Sequence, residues 1–470
     1  MQTGFSSSSR KDSRGLLREV VGLALPTWGA FTAHDLMGLV DMFFVGRLGP
    51  EAVAAVGMSG VVFGVVIMVG HGLSVGTLTL VSISLGAGRR RRAAEAVGQS
   101  LALGMVLSLT VAAGALLFSD RILSALGATR DVVRAGSAYL RIAGAGSWVL
   151  IMSMVLGSSL RGSGDARGPF RAMVTANLIN AVLDPLMIFG LAGFPRMGVA
   201  GSASATVVSR AVGMAMMLAR FRGMDGRSLS GRSVGLSLRR RYLRPRGLLM
   251  RQIAAVGVFA SGRILVQNFS QIALMRIVSG FGTGVVAAFG IGLRLQMMVF
   301  APSMGFGVAA AALVGRYLGA CNPVVARRSA WTATACAATV AALVALGAAG
   351  WTAALIRLFN ADGEVVAAGT IMLRWLCLSF PCVAALFVLG SAMGGGGDTL
   401  SPLAAVLVSA VMLRLPGAWW LSRGSWGVTG VWVAVVLSSL AGSVLAALFF
   451  ERGRWLRVGR RVGLQVRAVG

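Results

Sequence analysis

Long apolar runs alternate with short polar or basic connectors along nearly the whole chain. Twelve runs, at about 16–45, 52–84, 95–118, 133–158, 169–193, 197–219, 250–278, 284–315, 326–349, 366–393, 401–421 and 427–450, reach helix-spanning length. About 20 apolar residues in helical form cover a hydrocarbon core of roughly 30 Å. The pattern therefore predicts an all-α integral membrane protein of twelve transmembrane helices, with no room between them for a water-soluble domain of appreciable size. The first 15 residues are polar and Ser-rich, and no small-residue cleavage site follows the first run. That run is expected to be a retained span and not a signal peptide.

The runs are duplicated. A shift of 233 carries Gly49 to Gly282, Gly57 to Gly290, Gly72 to Gly305, Arg141 to Arg374, Gly164-Asp165 to Gly397-Asp398 and Pro169 to Pro402. It also carries Leu85-Gly86-Ala87 to Leu318-Gly319-Ala320, while Gly198-Val199-Ala200-Gly201 meets Gly427-Val428-Thr429-Gly430 at 229. So many coincidences mark an internal repeat. Each copy has six spans, an even number, so both copies enter the membrane from the same side, as parallel repeats about an axis along the membrane normal. The expected organisation is an N-terminal lobe over 1–222, a basic connector over 223–249, a C-terminal lobe over 250–450 and a basic tail over 451–470.

Composition agrees with a membrane protein, at 56% hydrophobic and 13% charged, but the net charge of +29 needs an explanation. Its arginines collect on alternate connectors. One side gathers Arg10, Lys11, Arg14, Arg18, Arg89 to Arg92, Arg161, Arg167, Arg171, ten arginines from Arg220 to Arg251, and the tail from Arg452 to Arg467. The other side has only scattered ones, such as Arg47, Arg121, Arg196, Arg357 and Arg423. This positive-inside bias puts both termini in the cytoplasm. Attraction to anionic lipid headgroups accounts for the charge without nucleic acid, for which the aromatic interleaving is missing. The near-replacement of Lys by Arg points to a GC-rich genome, and so to a bacterial inner membrane.

Two aspartates, Asp41 and Asp184, sit inside apolar runs of the first repeat, and an acid within the bilayer generally has a task. Their counterparts are uncharged: Leu274 for Asp41, and Leu413, Leu415 or Gly417 for Asp184, depending on the shift used. Asn177, Asn180 and Asp184 follow i, i+3, i+7 and share a helix face, and His34 and Asp41, seven apart, share another. Asp35 points elsewhere on its helix, toward a central cavity or an arginine. Pro26 is a candidate hinge, and Pro185 can bend the helix beyond Asp184. His71, opposite Met304 in the second repeat, is expected to make a buried hydrogen bond and not to hold a metal. Methionines such as Met37, Met152, Met154, Met297 and Met298 either line an adaptable cavity or simply fill membrane helices. Asp165 and Asp398 are expected to cap the helices that follow them.

The stretch from Val40 to Gly49, the segment Leu160-Arg161-Gly162-Ser163-Gly164-Asp165, and the runs Asn180 to Pro185 and Gly198 to Thr206 closely resemble the multidrug and toxic compound extrusion (MATE) family. The resemblance covers essentially the whole chain. It implies two six-helix lobes related by pseudo-two-fold symmetry about a V-shaped cavity, and export of amphipathic organic cations in exchange for protons or sodium ions. It further implies that Tyr139 and Thr206 line a first-lobe pocket. Some members carry acids on the seventh and tenth spans; this chain has none there, and so looks like the DinF-type branch.

The expected chemistry is ion competition at Asp41, Asp184 and Asn180. Two close carboxyls exchange protons as a pair. Protonated, the pocket is neutral; deprotonated, it attracts a cation. Sodium at the same three residues is the rival coupling ion, since their oxygens are hard-cation ligands. The proton reading is preferred because His34 and Tyr139 could pass protons. Neither an enzyme activity, a cofactor nor a resident metal is expected, and the chain is expected to act as a monomer on small-molecule organic cations among membrane lipids. A flippase or exporter of a lipid-linked or specialised metabolite is the alternative, and a cavity for polyanionic headgroups should be lined by basic residues.

Overall fold

The computed structural model describes residues 13–223 and 240–459, and every one of the twelve apolar runs is helical. In the first repeat α1 spans Ser13–Gly46, α2 Pro50–Gly86, α3 Arg90–Ala125, α4 Arg130–Ala145, α5 Ser147–Ser163, α6 Arg167–Phe189 and α7 Val199–Gly223. In the second, α8 spans Gly247–Val278, α9 Thr283–Gly319, α10 Pro323–Gly350, α11 Thr352–Arg357, α12 Gly363–Gly395, α13 Leu400–Val406, α14 Arg414–Arg423 and α15 Gly427–Glu451. Among the described residues ten helices are long and apolar enough to cross a membrane, and α4 with α5, bent by 44°, makes an eleventh. The first run, α1, is 34 residues long, but Pro26, His34, Asp35 and Asp41 dilute its apolar character. Arg10, Lys11, the connector residues 224–239, the tail arginines Arg460, Arg461 and Arg467, and the side chain of Met298 lie outside the described residues.

Two of the expected single spans are interrupted, each for a local reason. The fourth breaks at Gly146 between α4 and α5, where a Cβ would run into Val207 of α7. A Gly-Ser pair is a common site for a kink. The eleventh carries a π turn at Leu407–Leu413 between α13 and α14. Such a turn accommodates one extra residue within a helix.

The duplication is visible in backbone detail. Gly49 and Gly282 (φ 110° and 103°), Gly164 and Gly397 (97° and 87°), and Gly198 and Gly427 (56° and 51°) adopt matched left-handed conformations that glycine alone adopts without a Cβ penalty. Asp165 accepts the Gly168 N–H at 2.8 Å and Asp398 accepts the Ser401 N–H at 3.1 Å. Each carboxylate also faces an arginine from further along its own repeat, Arg220 at 3.7 Å and Arg454 at 4.0 Å. Gly201 and Gly430 repeat one more contact: a Cβ on either would lie 2.5 Å from a backbone oxygen, that of Met187 or of Leu421.

Contacts divide the chain into two compact units, one of Gly29–Leu85 and Arg89–Leu265, the other of Met1–Trp28, Gly86–Gly88 and Val266–Gly470. The division thus falls within α1 and α8, where the sequence pattern placed it in the basic connector. Close backbone contacts account for this. In the first of these units a Cβ on Gly257 would lie 3.0 Å from the Gly72 carbonyl oxygen, and Ser261 Oγ donates to the Met68 carbonyl at 3.0 Å, which ties early α8 to α2. In the other, Gly305 of α9 backs onto Ala24 and Trp28 of early α1.

The end of the connector is fastened by one side chain. Gln99 of α3, fully buried, donates to the carbonyls of Tyr242 at 2.7 Å and Arg244 at 2.8 Å and accepts the Arg246 N–H at 2.8 Å. Glu95, one turn earlier, pairs with Arg246 and Arg91. Gln99→Leu strands three backbone groups, each costing about 1–3 kcal/mol when buried without a partner. Limited proteolysis of the intact protein should then cut near Arg244 at least about tenfold faster than in the native chain.

Candidate functional site: an acid pair in the first repeat

Helix α6 presents two unlike faces. Leu178 and Val182 are 66% and 61% exposed, whereas Asn180 and Asp184 are fully buried. In an apolar solvent this is the stable arrangement, since polar side chains gain only by turning inward to partners. Asn180 Nδ2 donates to Asp184 Oδ1 at 3.3 Å, across one helical turn. Asp41 of α1 interacts electrostatically with Asp184 and Asn180. From α7, Thr206 Oγ1 donates to Asp41 Oδ2 at 3.5 Å. One turn toward the nearer helix ends, Val45, Ala52, Ile188 and Val199 form an apolar cluster, with Phe44 and Tyr139 packed against it.

Four of the expected site residues, Asp41, Asp184, Asn180 and Thr206, therefore meet at one place. Tyr139 of α4 and His34 of α1 adjoin it: Tyr139 interacts electrostatically with both carboxyls, and His34 with Arg210. Asn177 lies on the same face of α6, but its amide donates to the Ala33 carbonyl and so ties α6 to α1. Met37 is buried at 2% exposure inside the packing, Asp35 is exposed on the other side of α1, and Pro26 sits within an unbroken α1. Beside Pro26, Thr27 Oγ1 donates to the Leu23 carbonyl at 2.7 Å.

The site has more acceptors than donors. Asp41 Oδ1, Asp184 Oδ2, Asn180 Oδ1, Asn177 Oδ1 and His34 Nδ1 are all buried without a hydrogen-bond partner. Each such group costs about 1–3 kcal/mol. Two neighbouring carboxyls can bond to each other only if a proton lies between them. Oxygen from two carboxylates, an amide and a hydroxyl is equally a hard donor set for a small cation. Among the described residues no group of three or more His, Cys, Asp and Glu could hold a metal ion.

Arg210, one turn beyond Thr206 on α7, interacts electrostatically with Asp41, Tyr139 and His34, and its Nε is buried without a partner. Sequence reasoning missed it. The signal was present, because an arginine four residues from Thr206 inside an apolar run must share its face.

The second repeat keeps the frame and changes the contents. Asp184 stands three residues before Met187 and Ala418 three before Leu421, while seven before them stand Asn180 and Arg414. Met187 and Leu421 make the same contact, so Ala418 is the structural counterpart of Asp184, replacing the three positions that simple shifts offered. The counterpart is still uncharged. Arg414 Nε donates to Ser438 Oγ at 3.2 Å, so an arginine occupies the place of the amide.

Two matched membrane-spanning helical repeats are an architecture that many membrane transporters share. Comparison with known proteins gives the family. The chain belongs to the MatE family, whose profile matches twice, at residues 26–186 and 260–420. The probable multidrug resistance protein NorM of Thermotoga maritima is 28% identical over 463 residues, covering 93% of each chain. An FAD transporter of Shewanella oneidensis is 27% identical, over 94% of this chain and 97% of that one. Among solved structures, the Vibrio cholerae MATE transporter VcmN in its bent form matches the fold with a TM-score of 0.88, at 21% identity over 96% of this chain and 99% of that one.

Proposed function

We propose that the protein is a secondary active multidrug efflux antiporter, which exports amphipathic organic cations in exchange for protons by alternating access. The meeting of Asp41 with Asp184 and Asn180 in a buried, donor-poor pocket of the first repeat is the observation that carries this reading. With the Arg210 guanidinium beside Asp41, one proton shared between the two carboxyls leaves the pocket neutral, and its loss leaves a net negative charge that draws in a cationic substrate. Mutual exclusion of the two occupants couples their opposite flows. The membrane potential adds about 2.3 kcal/mol per elementary charge per 100 mV where net charge moves. Sodium at Asp41, Asp184 and Asn180 is the alternative ion.

The basic connectors favour insertion in a bacterial cytoplasmic membrane with both termini inside. Membership of the MatE family and the name of the Thermotoga maritima relative support drug export as the task. The test is export of a fluorescent organic cation from proteoliposomes under an imposed proton gradient, an imposed sodium gradient, or neither. Export that follows the proton gradient alone is expected; equal export in all three removes antiport.

A further inference from the structure

Three spans of the first repeat leave a groove between them, in the halves of those spans nearer their arginine-rich ends. It has a volume of about 470 Å³ and is walled by Leu101 and Met105 of α3, Met152 and Leu156 of α5, and Met214 and Leu218 of α7. Every residue lining it is apolar. The groove follows α5 from Leu156 to Trp148, about 12 Å at 1.5 Å per residue. Met105 and Val106 on its α3 wall are 42% and 62% exposed, so its side is open to the hydrocarbon around the spans. A long, side-open apolar groove along the helices suits a flexible chain lying along the membrane normal. Methionine from each of the three helices lets the wall adapt to one.

One end of the groove meets the basic connector. Leu243, in the 3₁₀ turn Arg240–Leu243, lines it there. Gln99, two residues before Leu101 on α3, holds the carbonyls on either side of Leu243, those of Tyr242 and Arg244. Arg241 and Arg244 are thereby fixed around the groove's end, and both are exposed. Arg241 Nη2 donates to Tyr242 Oη at 3.0 Å, with its guanidinium 5.0 Å from the ring centroid. Among the described residues neither arginine has an acidic partner, and Glu95, one turn before Gln99, is taken by Arg246 and Arg91. Basic residues at a crevice between spans are suited to an anionic lipid headgroup, and arginine matches the geometry of a phosphate.

We propose that this groove binds one anionic phospholipid, with an acyl chain between α3, α5 and α7 and the phosphate between Arg241 and Arg244. The lipid then fastens the end of the connector to three spans at once, adding to the hold of Gln99. The inference does not depend on the transport reading.

The test is native mass spectrometry of the delipidated full chain titrated with dioleoyl phosphatidylglycerol or dioleoyl phosphatidylcholine, which differ only in headgroup. The first phosphatidylglycerol is expected to bind about tenfold more tightly than the first phosphatidylcholine. Arg241→Gln combined with Arg244→Gln should abolish that preference and leave phosphatidylcholine affinity within about twofold. Arg167→Gln combined with Arg171→Gln, at exposed arginines in the first turns of α6, should leave it intact. Ala102→Phe, which puts a ring into the groove, should weaken both lipids at least about fivefold. Should that variant fail to fold, Leu243→Ser, at a position 46% exposed, is expected to weaken both in the same way. Equal affinities for the two lipids in the native chain, loss of the preference in the α6 pair, or undiminished binding by the groove variant overturns the site. Displacement of the lipid one for one by the cationic dye rhodamine 6G would make the groove a substrate pocket and equally overturn it.

Discussion

Asp184→Asn is expected to lower the initial rate of proton-driven export by about 100-fold, close to 3 kcal/mol at 1.36 kcal/mol per decade. The substitution preserves shape and leaves an oxygen to accept from Asn180, whose Nδ2 now bonds to Asp184 Oδ1 at 3.3 Å. What it removes is the ability of this buried position to take up and release a charge. Asp41 then has no second carboxyl with which to share a proton. A pH series separates this loss from a packing defect. In the native protein, binding of an organic cation should tighten as pH rises and the pair gives up its proton, and in the variant that dependence should flatten. Export at the native rate, or an unchanged pH profile with slowed export, would sink the coupling role of Asp184.

The second large effect is expected at Gly201, where the sign is not the usual one. In a helix, Gly→Ala ordinarily stabilises by about 1 kcal/mol. Here the added Cβ would sit 2.5 Å from the Met187 carbonyl oxygen, 2.6 Å from its carbon and 3.0 Å from the Ile188 nitrogen. These are backbone atoms that no rotamer change can move. The neighbouring backbone is also stitched, since Met197 and Gly198 donate to the Met187 and Ile188 carbonyls at 3.0 and 3.1 Å. Overpacking of this kind costs about 1–3 kcal/mol, here toward the upper end. Gly201→Ala should therefore lower the melting temperature in detergent by about 5–10 °C. Because α7 carries Thr206 and Arg210 to Asp41, its displacement should also change the ion dependence of export per folded molecule. Gly430→Ala, with the same clash in the repeat that lacks the acid pair, is expected to cost similar stability and leave that dependence alone. A rise in melting temperature for Gly201→Ala would show that α6 and α7 are not locked at this point.

Most of the architecture was legible because membrane helices announce themselves by length and because the repeats share turn glycines. Gly49, Gly164 and Gly198 matched their partners in sequence, and a left-handed backbone is the physical reason they could not drift. The break at Gly146 and the π turn at Leu407–Leu413 were not legible. Both lie in unremarkable apolar sequence, and the clash with Val207 that singles out Gly146 comes from a distant helix. In the site, helical spacing brought Asn180 to Asp184, but the approach of Asp41 depends on how α1 packs on α6. The direction of Arg161 was hidden for a similar reason: its number places it beside a connector, and only the missing side chain of Gly157 lets its guanidinium turn back along α5.

The π turn of the second repeat sets which residues stand opposite the acid pair's positions. Pro169 and Pro402 begin equivalent helices, yet by the level of Met187 and Leu421 the second helix has consumed one residue more. A single inserted residue rotates everything after it by about 100°. Absorbing that rotation in a π turn kept Gly430 against Leu421, while placing Ala418 and Arg414 where the first repeat holds Asp184 and Asn180. The two copies of the repeat thus differ in register as well as in sequence at this level, and the second holds an arginine where the first holds an amide.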